Sequence, residues 1–288
     1  MRILVLGVLG MAGHVMAEVL KNAGHEVVGF ARRESPYCKT IIGDAQDGNL
    51  IREVLSNGAF DAVINCIGVL NKEVDANPAE GIYLNSVLPH LLVKYTAGTG
   101  TKVIHLSTDC VFSGKDGNYR EDSFRDADSM YGRSKTMGEL NDEKNLTIRT
   151  SIVGPDLHEK GCGLFNWFMK QNGTVNGYTQ AIWSGVTTIE LAKAVATVLE
   201  SDVTGLYHLV NGDKIDKCSL LRLFNEMRVD PVVINPVNND RVDKSIICTR
   251  TDFKYTVPSY EEMVQEMERW IRNHSDMYNR YCVRTCGN

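Results

Sequence analysis

A chain of 288 residues, 43% hydrophobic and 23% charged, has ordinary globular composition and is long enough to close one large core or two small ones. Lys+Arg 31 against Asp+Glu 36 leaves a formal net charge of −5, which excludes a nucleic-acid binder held by bulk positive charge. Seven prolines and no low-complexity tract argue against long disordered segments, and no stretch reaches the roughly 20 apolar residues of a membrane-spanning helix.

In chain order, RILVLG (2–7) reads as a buried strand and MAGHVMAEVLKNAG (11–24) as a helix. The uncharged stretch from Ile3 to Ala17 has the look of an export signal, but three glycines and a histidine interrupt it. HEVVGFAR (25–32) is a second strand and TIIG (40–43) is strand-like. LIREVLSNG (50–58) reads as a helix, FDAVINCIG (60–68) as a strand, EGIYLNSVLPHLLVKYTAGTG (80–100) as one longer helix kinked at Pro89, and TKVIHLST (101–108) as a strand. In the second half, NLTIRTSIVG (145–154) reads as one strand and TTIELAKAVATVLESD (187–202) as an amphipathic helix capped by Thr187 or Thr188. GLYHLVNG (205–212) is a further strand. Helices follow at 219–228 and 259–273, the last opening on the capping-box pair Ser259 and Glu262.

Short apolar strands alternating with helices predict an α/β fold, a doubly wound parallel sheet covered on both faces. No Gly-, Ser- or Pro-rich linker separates two units. Residues 1–155 are expected to form a dinucleotide-binding Rossmann part that also receives segments near 183–215, and 156–288 mainly a smaller, interleaved substrate lobe. The eight cysteines show neither CxxC nor zinc spacing, so free thiols in a reducing cytoplasm are expected. Cys282 and Cys286 fall in a tail expected to fray. The seven histidines are scattered, and no metal site is expected.

Gly7, Gly10 and Gly13 form G-x-x-G-x-x-G where the first strand turns into the first helix. Such a turn offers backbone N–H groups and a helix N-terminus to a pyrophosphate. Met11 within the loop belongs to the same candidate site. An NAD site usually places an acid at the end of the second strand; here Ala31, Arg32 and Arg33 stand there. A guanidinium suits a 2′-phosphate, so NADPH is favoured, with NADH as the second option. Asp44 and Ala45 after the third strand, and Cys66 and Gly68 after the fourth, are expected to flank the cofactor.

Tyr131 and Lys135 form Y-x-x-x-K and share one helix face. A neighbouring ammonium favours the phenolate, so the Tyr131 pKa is expected to fall toward working pH. Upstream, Thr108 and Asp109 close the fifth strand, where a hydroxyl can hydrogen-bond a substrate oxygen.

The segments GVLGMAG (7–13), NCIG (65–68), LSTDCVFSGKDGNYRED (106–122), YGRSKTMGE (131–139), SGVTTIELAKAV (184–195) and GLYHLVNG (205–212) together resemble the extended short-chain dehydrogenase/reductases, and among them the dTDP-4-dehydrorhamnose reductase branch. The resemblance covers about residues 1–273 and implies NADPH-dependent reduction of the C4 keto group of a nucleotide-linked 4-keto-6-deoxysugar, as in rhamnose and polysaccharide precursor synthesis. It implies Tyr131 as proton donor, Lys135 as its tuner and ribose ligand, Thr108 as the catalytic hydroxyl, Asp109 as a tuning acid and Asn85 as support for a proton relay at the cofactor. Many members carry R-T-S-W where this chain has Arg149-Thr150-Ser151-Ile152; Trp167 or Trp183 is the candidate substitute for the sugar platform, and Arg241 and Lys244 for the nucleotide phosphates. A homodimer is left open. The rivals are a nucleotide-sugar dehydratase or epimerase, and a non-catalytic NADP-binding subunit such as the regulatory subunit of methionine adenosyltransferase. Cys110 argues against a dehydratase, since it replaces the Glu that dehydration needs.

Overall fold

The computed structural model describes residues 1–238 and 240–284. Its centre is a seven-stranded sheet in the order β11-β6-β5-β4-β1-β2-β3, parallel throughout. The chain enters through β1 (Arg2–Leu6), α1 (Gly13–Asn22), β2 (Glu26–Ala31), β3 (Lys39–Ile42), α2 (Gly48–Gly58) and β4 (Ala62–Asn65). Along β1 the side chains alternate between two cores: Ile3 and Val5 join one, Leu4 and Leu6 the other. That two-sided burial is why the strand is apolar at every position from Ile3 onward.

The stretch expected as one kinked helix is three pieces. After α3 (Asn71–Ala76) come α4 (Pro78–Ile82), a π-helical turn over Tyr83–Val87 and α5 (Leu88–Tyr95). Pro89 lies in the first turn of α5, where a missing N–H is tolerated, so the break falls before it. β5 (Lys102–Thr108) leads through a loop to α6 (Met130–Gly138) and back to β6 (Leu146–Thr150).

The expected single strand 145–154 is divided at Ser151. β6 stays in the main sheet, while β7 (Ile152–Val153) pairs with β10 (Val186–Thr187). Between them lie α7 (Gly163–Met169), β8 (Thr174–Tyr178) and β9 (Ala181–Trp183). α8 (Thr188–Leu199), capped by the Thr187 side chain on the Glu190 N–H, packs beside α1. β11 (Gly205–His208) then returns to the sheet edge.

The smaller lobe adds β12 (Ile215–Asp216), α9 (Lys217–Glu226), β13 (Val233–Val237) and β14 (Val242–Asp243). β12 and β14 flank β9, and β13 pairs with β8. α10 (Tyr260–Asn273) opens with the expected Ser259/Glu262 capping box, and α11 (Ser275–Tyr278) follows it. Among the described residues no helix is long and apolar enough to cross a membrane.

The tail is not frayed as expected through residue 284. Tyr278 and Tyr281 are buried, and the backbone N–H of Arg284 bonds the Met227 carbonyl at 2.8 Å. Cys282 is an exposed free thiol; Cys286 lies outside the described residues.

Candidate active site

The chain order of the sheet reverses between β1 and β4, and a cleft of about 510 Å³ opens there, at the strands' C-terminal ends. This is where open parallel sheets bind ligands. Gly7 has φ +76, and its N–H bonds the Phe30 carbonyl at 2.9 Å, which turns the chain sharply out of β1. A Cβ on Gly13 would stand 2.1 Å from the Gly7 carbonyl oxygen, so this glycine lets α1 start against the loop. Gly7 and Gly10 line the cleft, whereas Met11 and Gly13 do not. Met11 approaches the side-chain amide of Asn166 at 3.9 Å.

The far wall is made by Arg32, Arg33, Asp44 and Ala45, which follow β2 and β3. His158, one of the scattered histidines to which sequence reasoning assigned no role, also lines it, and the Arg33 guanidinium meets its Nδ1 at 3.3 Å. Only folding brings the two together, for they are 125 positions apart in the chain. Cys66 and Gly68 close the inner end. Burial pushes the Cys66 thiol up to about 12, so it remains protonated. A glycine-lined turn, an inward helix start and a guanidinium pair fit a dinucleotide with a 2′-phosphate.

Thr108 meets Tyr131, and Lys135 lies close enough to Cys66, which lines the cleft, to act on its thiol. Thr108 is buried at the end of β5; its hydroxyl accepts the Cys110 N–H and donates to Asp109 Oδ1, both at 3.1 Å. It also hydrogen-bonds the Tyr131 phenol. Asp109 is buried, which raises its pKa, against the opposing pull of Lys244.

The Tyr131 expectation is corrected here. Burial raises its pKa well above the ordinary phenol value, and the nearby Cys110 and Asp109 push the same way. The amine of Lys135 lies elsewhere: Nζ donates to the Leu106 carbonyl at 2.7 Å and stands 3.1 Å from His105 Nε2. Burial brings Lys135 down to about 8, with the Glu139 carboxylate opposing.

His105 is a second residue that sequence reasoning passed over. It is fully buried, and desolvation first, then the Lys135 charge, keep it neutral. The Asn65 amide is oriented by accepting the Ile67 N–H at 3.2 Å, so its Nδ2 donates to His105 Nδ1 at 3.1 Å.

α6 is held by the other residues of its motif. Gly132 and Gly138 let it approach backbone directly: a Cβ would lie 2.2 Å from the Cys110 oxygen and 2.0 Å from the Asn85 oxygen, respectively. Ser134 Oγ receives the Asn85 side-chain amide at 3.1 Å. Glu139 accepts from Ser107 at 2.7 Å and from the buried Arg149 at 2.8 and 2.7 Å, tying α6 to β5 and β6. Asn85 sits on the π turn and also clasps both the N–H and the carbonyl of Val69 at 2.9 Å, so every polar atom of its side chain is engaged within the protein.

The candidate substrate residues are dispersed. Trp183 is buried and packs on Tyr260 at 5.8 Å, as part of the core. Trp167 is half exposed on α7. Arg241 pairs with Asp243 at 3.2 Å. Lys244 lies beside Gly114, close enough to Asp109 to act on its charge.

Residues 1–252 match the family model described as the RmlD substrate binding domain. A dTDP-4-dehydrorhamnose reductase of Mycolicibacterium smegmatis is 27% identical over 254 residues, covering 83% of this chain and 73% of that protein. Methionine adenosyltransferase 2 subunit beta of Xenopus laevis is 25% identical over 259 residues, covering 82% of this chain and 76% of that protein. The crystal structure of a dTDP-4-dehydrorhamnose reductase from Bacillus anthracis in complex with NADP superposes with a TM-score of 0.79 at 18% identity, over 92% of this chain and 98% of that one.

Proposed function

Because the chain belongs to the RmlD substrate-binding-domain family, we propose that it reduces the C4 keto group of a nucleotide-linked 4-keto-6-deoxysugar, with NADPH as the preferred reductant. The observation that carries this reading is the hydrogen bond between Thr108 and Tyr131, with Lys135 close enough to Cys66 to act on its thiol, next to a glycine-lined cleft that Cys66 shares with Arg32 and Arg33. The nicotinamide, when bound, supplies the hydride.

The protein's own residues do the rest. Gly7 and Gly10 offer an uncluttered backbone surface for the pyrophosphate, and Arg32 and Arg33 offer charge for a 2′-phosphate. Tyr131 carries its proton at neutral pH because burial opposes the phenolate, so it enters the reaction as the donor to the forming alkoxide oxygen. Thr108 supplies a second hydroxyl beside that oxygen. The Lys135 charge steadies the phenolate left behind. Cys110 stands where a dehydratase would need an acid–base carboxylate; its thiol is held up at about 12 by burial and Asp109, which disfavours that chemistry.

The test is NADPH oxidation with a panel of nucleotide 4-keto-6-deoxysugars, comparing wild type with Tyr131→Phe. Turnover by wild type and a loss of about 10²-fold or more in the variant are expected. Tight NADPH binding without turnover on any sugar would favour instead the binding-subunit reading suggested by the Xenopus relative, and equal rates in the two proteins would remove Tyr131 from the reaction.

A further inference from the structure

We propose that residues 274–284, which lie beyond the matched family region, act as a brace that sets cofactor affinity by holding the two loops on either side of the cleft. The proposal rests on the cleft being the nucleotide site, as read above.

The first arm reaches the glycine loop. Trp270 Nε1 donates to the Tyr278 hydroxyl at 3.2 Å, and that hydroxyl is 2.6 Å from His14 Nε2. His14 Nδ1 is 2.7 Å from the Gly10 carbonyl. Gly10 offers only an acceptor there, so Nδ1 carries the ring proton and Nε2 accepts from Tyr278. The donors therefore run in one consistent direction: Trp270 to Tyr278, Tyr278 to His14, and His14 to Gly10. Tyr278 is 1% exposed and His14 2%, so no solvent competes for these bonds.

The second arm reaches the opposite loop, 154–163, which carries His158 into the cleft. Tyr281 accepts the Asp156 N–H at 2.9 Å and donates to Asn166, and Arg280 donates to the Asp156 carbonyl. The Asp156 carboxylate in turn accepts the N–H groups of His158 at 2.9 Å and Cys162 at 3.1 Å, fixing the turn between them. Asn166 ties back to the Gly154 carbonyl at 2.9 Å. The tail is itself moored to the end of α9, through the Val229 and Arg284 N–H groups.

Both loops thus meet one segment, itself tied to the end of α9. Ordering them in advance removes a cost that nucleotide binding would otherwise bear. Tyr278 and Tyr281 are positioning residues: neither lines the cleft.

The experiment uses the full chain with Tyr278→Phe and Tyr281→Phe, which keep the rings. NADPH affinity is read by fluorescence titration, and amide exchange of the cofactor-free protein is followed in 7–13 and 154–163. Each variant is expected to bind NADPH about tenfold more weakly, in line with one buried hydrogen bond. Tyr278→Phe speeds exchange in the first segment only and Tyr281→Phe in the second only, while kcat at saturating NADPH stays within about twofold. Leu92→Ala, in the core on the other side of the sheet, is the control for plain destabilisation. Unchanged affinity in both variants, or an affinity loss that Leu92→Ala reproduces at equal stability, overturns the brace while leaving the cleft's role standing. A wild-type protein that binds neither NADPH nor NADH overturns both.

Discussion

Tyr131 and Lys135 stand one helical turn apart, and proximity alone would give a phenol with a depressed pKa. Burial outweighs it. The lysine amine is turned to the Leu106 carbonyl and His105, so in the resting protein its charge does not offset the burial of the phenol, and desolvation acts on both groups in opposite directions. The motif spacing was readable in the sequence; the sign of the shift was not, because it depends on what surrounds the two groups. The consequence is testable. Lys135, brought down to about 8, is charged below that pH and neutral above it. The expected profile of kcat/KM for the sugar is flat through neutrality and falls as pH rises past about 8. Lys135→Arg, whose charge persists at high pH, should move that limb out of the range. An unchanged alkaline limb in Lys135→Arg would assign it to another group.

At the scale of elements, α6 shows how a sequence motif divides its labour. Tyr131 and Lys135 carry the chemistry, while Gly132, Ser134, Gly138 and Glu139 seat the helix against Cys110, the π turn and two strands. The helix and strands were legible because apolar periodicity records which faces are covered. The π turn was not: its Asn85 carbonyl meets Gly138, 53 positions away in the chain, a contact that no local periodicity records. Gly138→Ala separates two opposing effects. Helix propensity favours alanine by about 1 kcal/mol. The new Cβ, however, would sit 2.0 Å from a backbone oxygen that no rotamer change can move. The steric effect wins, so the melting temperature should fall, and displacement of α6 should lower kcat by about tenfold or more while NADPH affinity holds. A variant more stable than wild type, with full activity, would show that α6 is not seated this way.

Across the whole molecule, three histidines that looked incidental in the sequence turn out to be buried and neutral, each accepting a hydrogen bond that protonation would break. His14 accepts from Tyr278, His105 from Asn65 and His208 from Arg149 at 2.7 Å. Their scatter along the chain hid this, since each partner is supplied by a distant segment, for His14 one that is 264 residues away. The same distance hid the packing of the polar tail. Desolvation lowers all three pKa values, His14 and His208 to about 4 from 6.5. A lowered folded-state pKa means that the unfolded chain binds more protons between the two values. The stability these groups contribute is therefore complete above about 6.5 and is lost as pH falls toward 4. For His14 alone the shift is on the order of 3 kcal/mol. Urea unfolding between pH 7.5 and 4.5 should show stability falling with a slope that approaches about three protons per molecule, over and above the carboxylates. His14→Gln should reduce that slope by about one proton. Because His14 also links the tail to Gly10, acid should loosen the glycine loop before the sheet, with NADPH affinity declining at a higher pH than global unfolding. Coincident loss of binding and of the whole fold would mean that the loop and the sheet titrate as one unit.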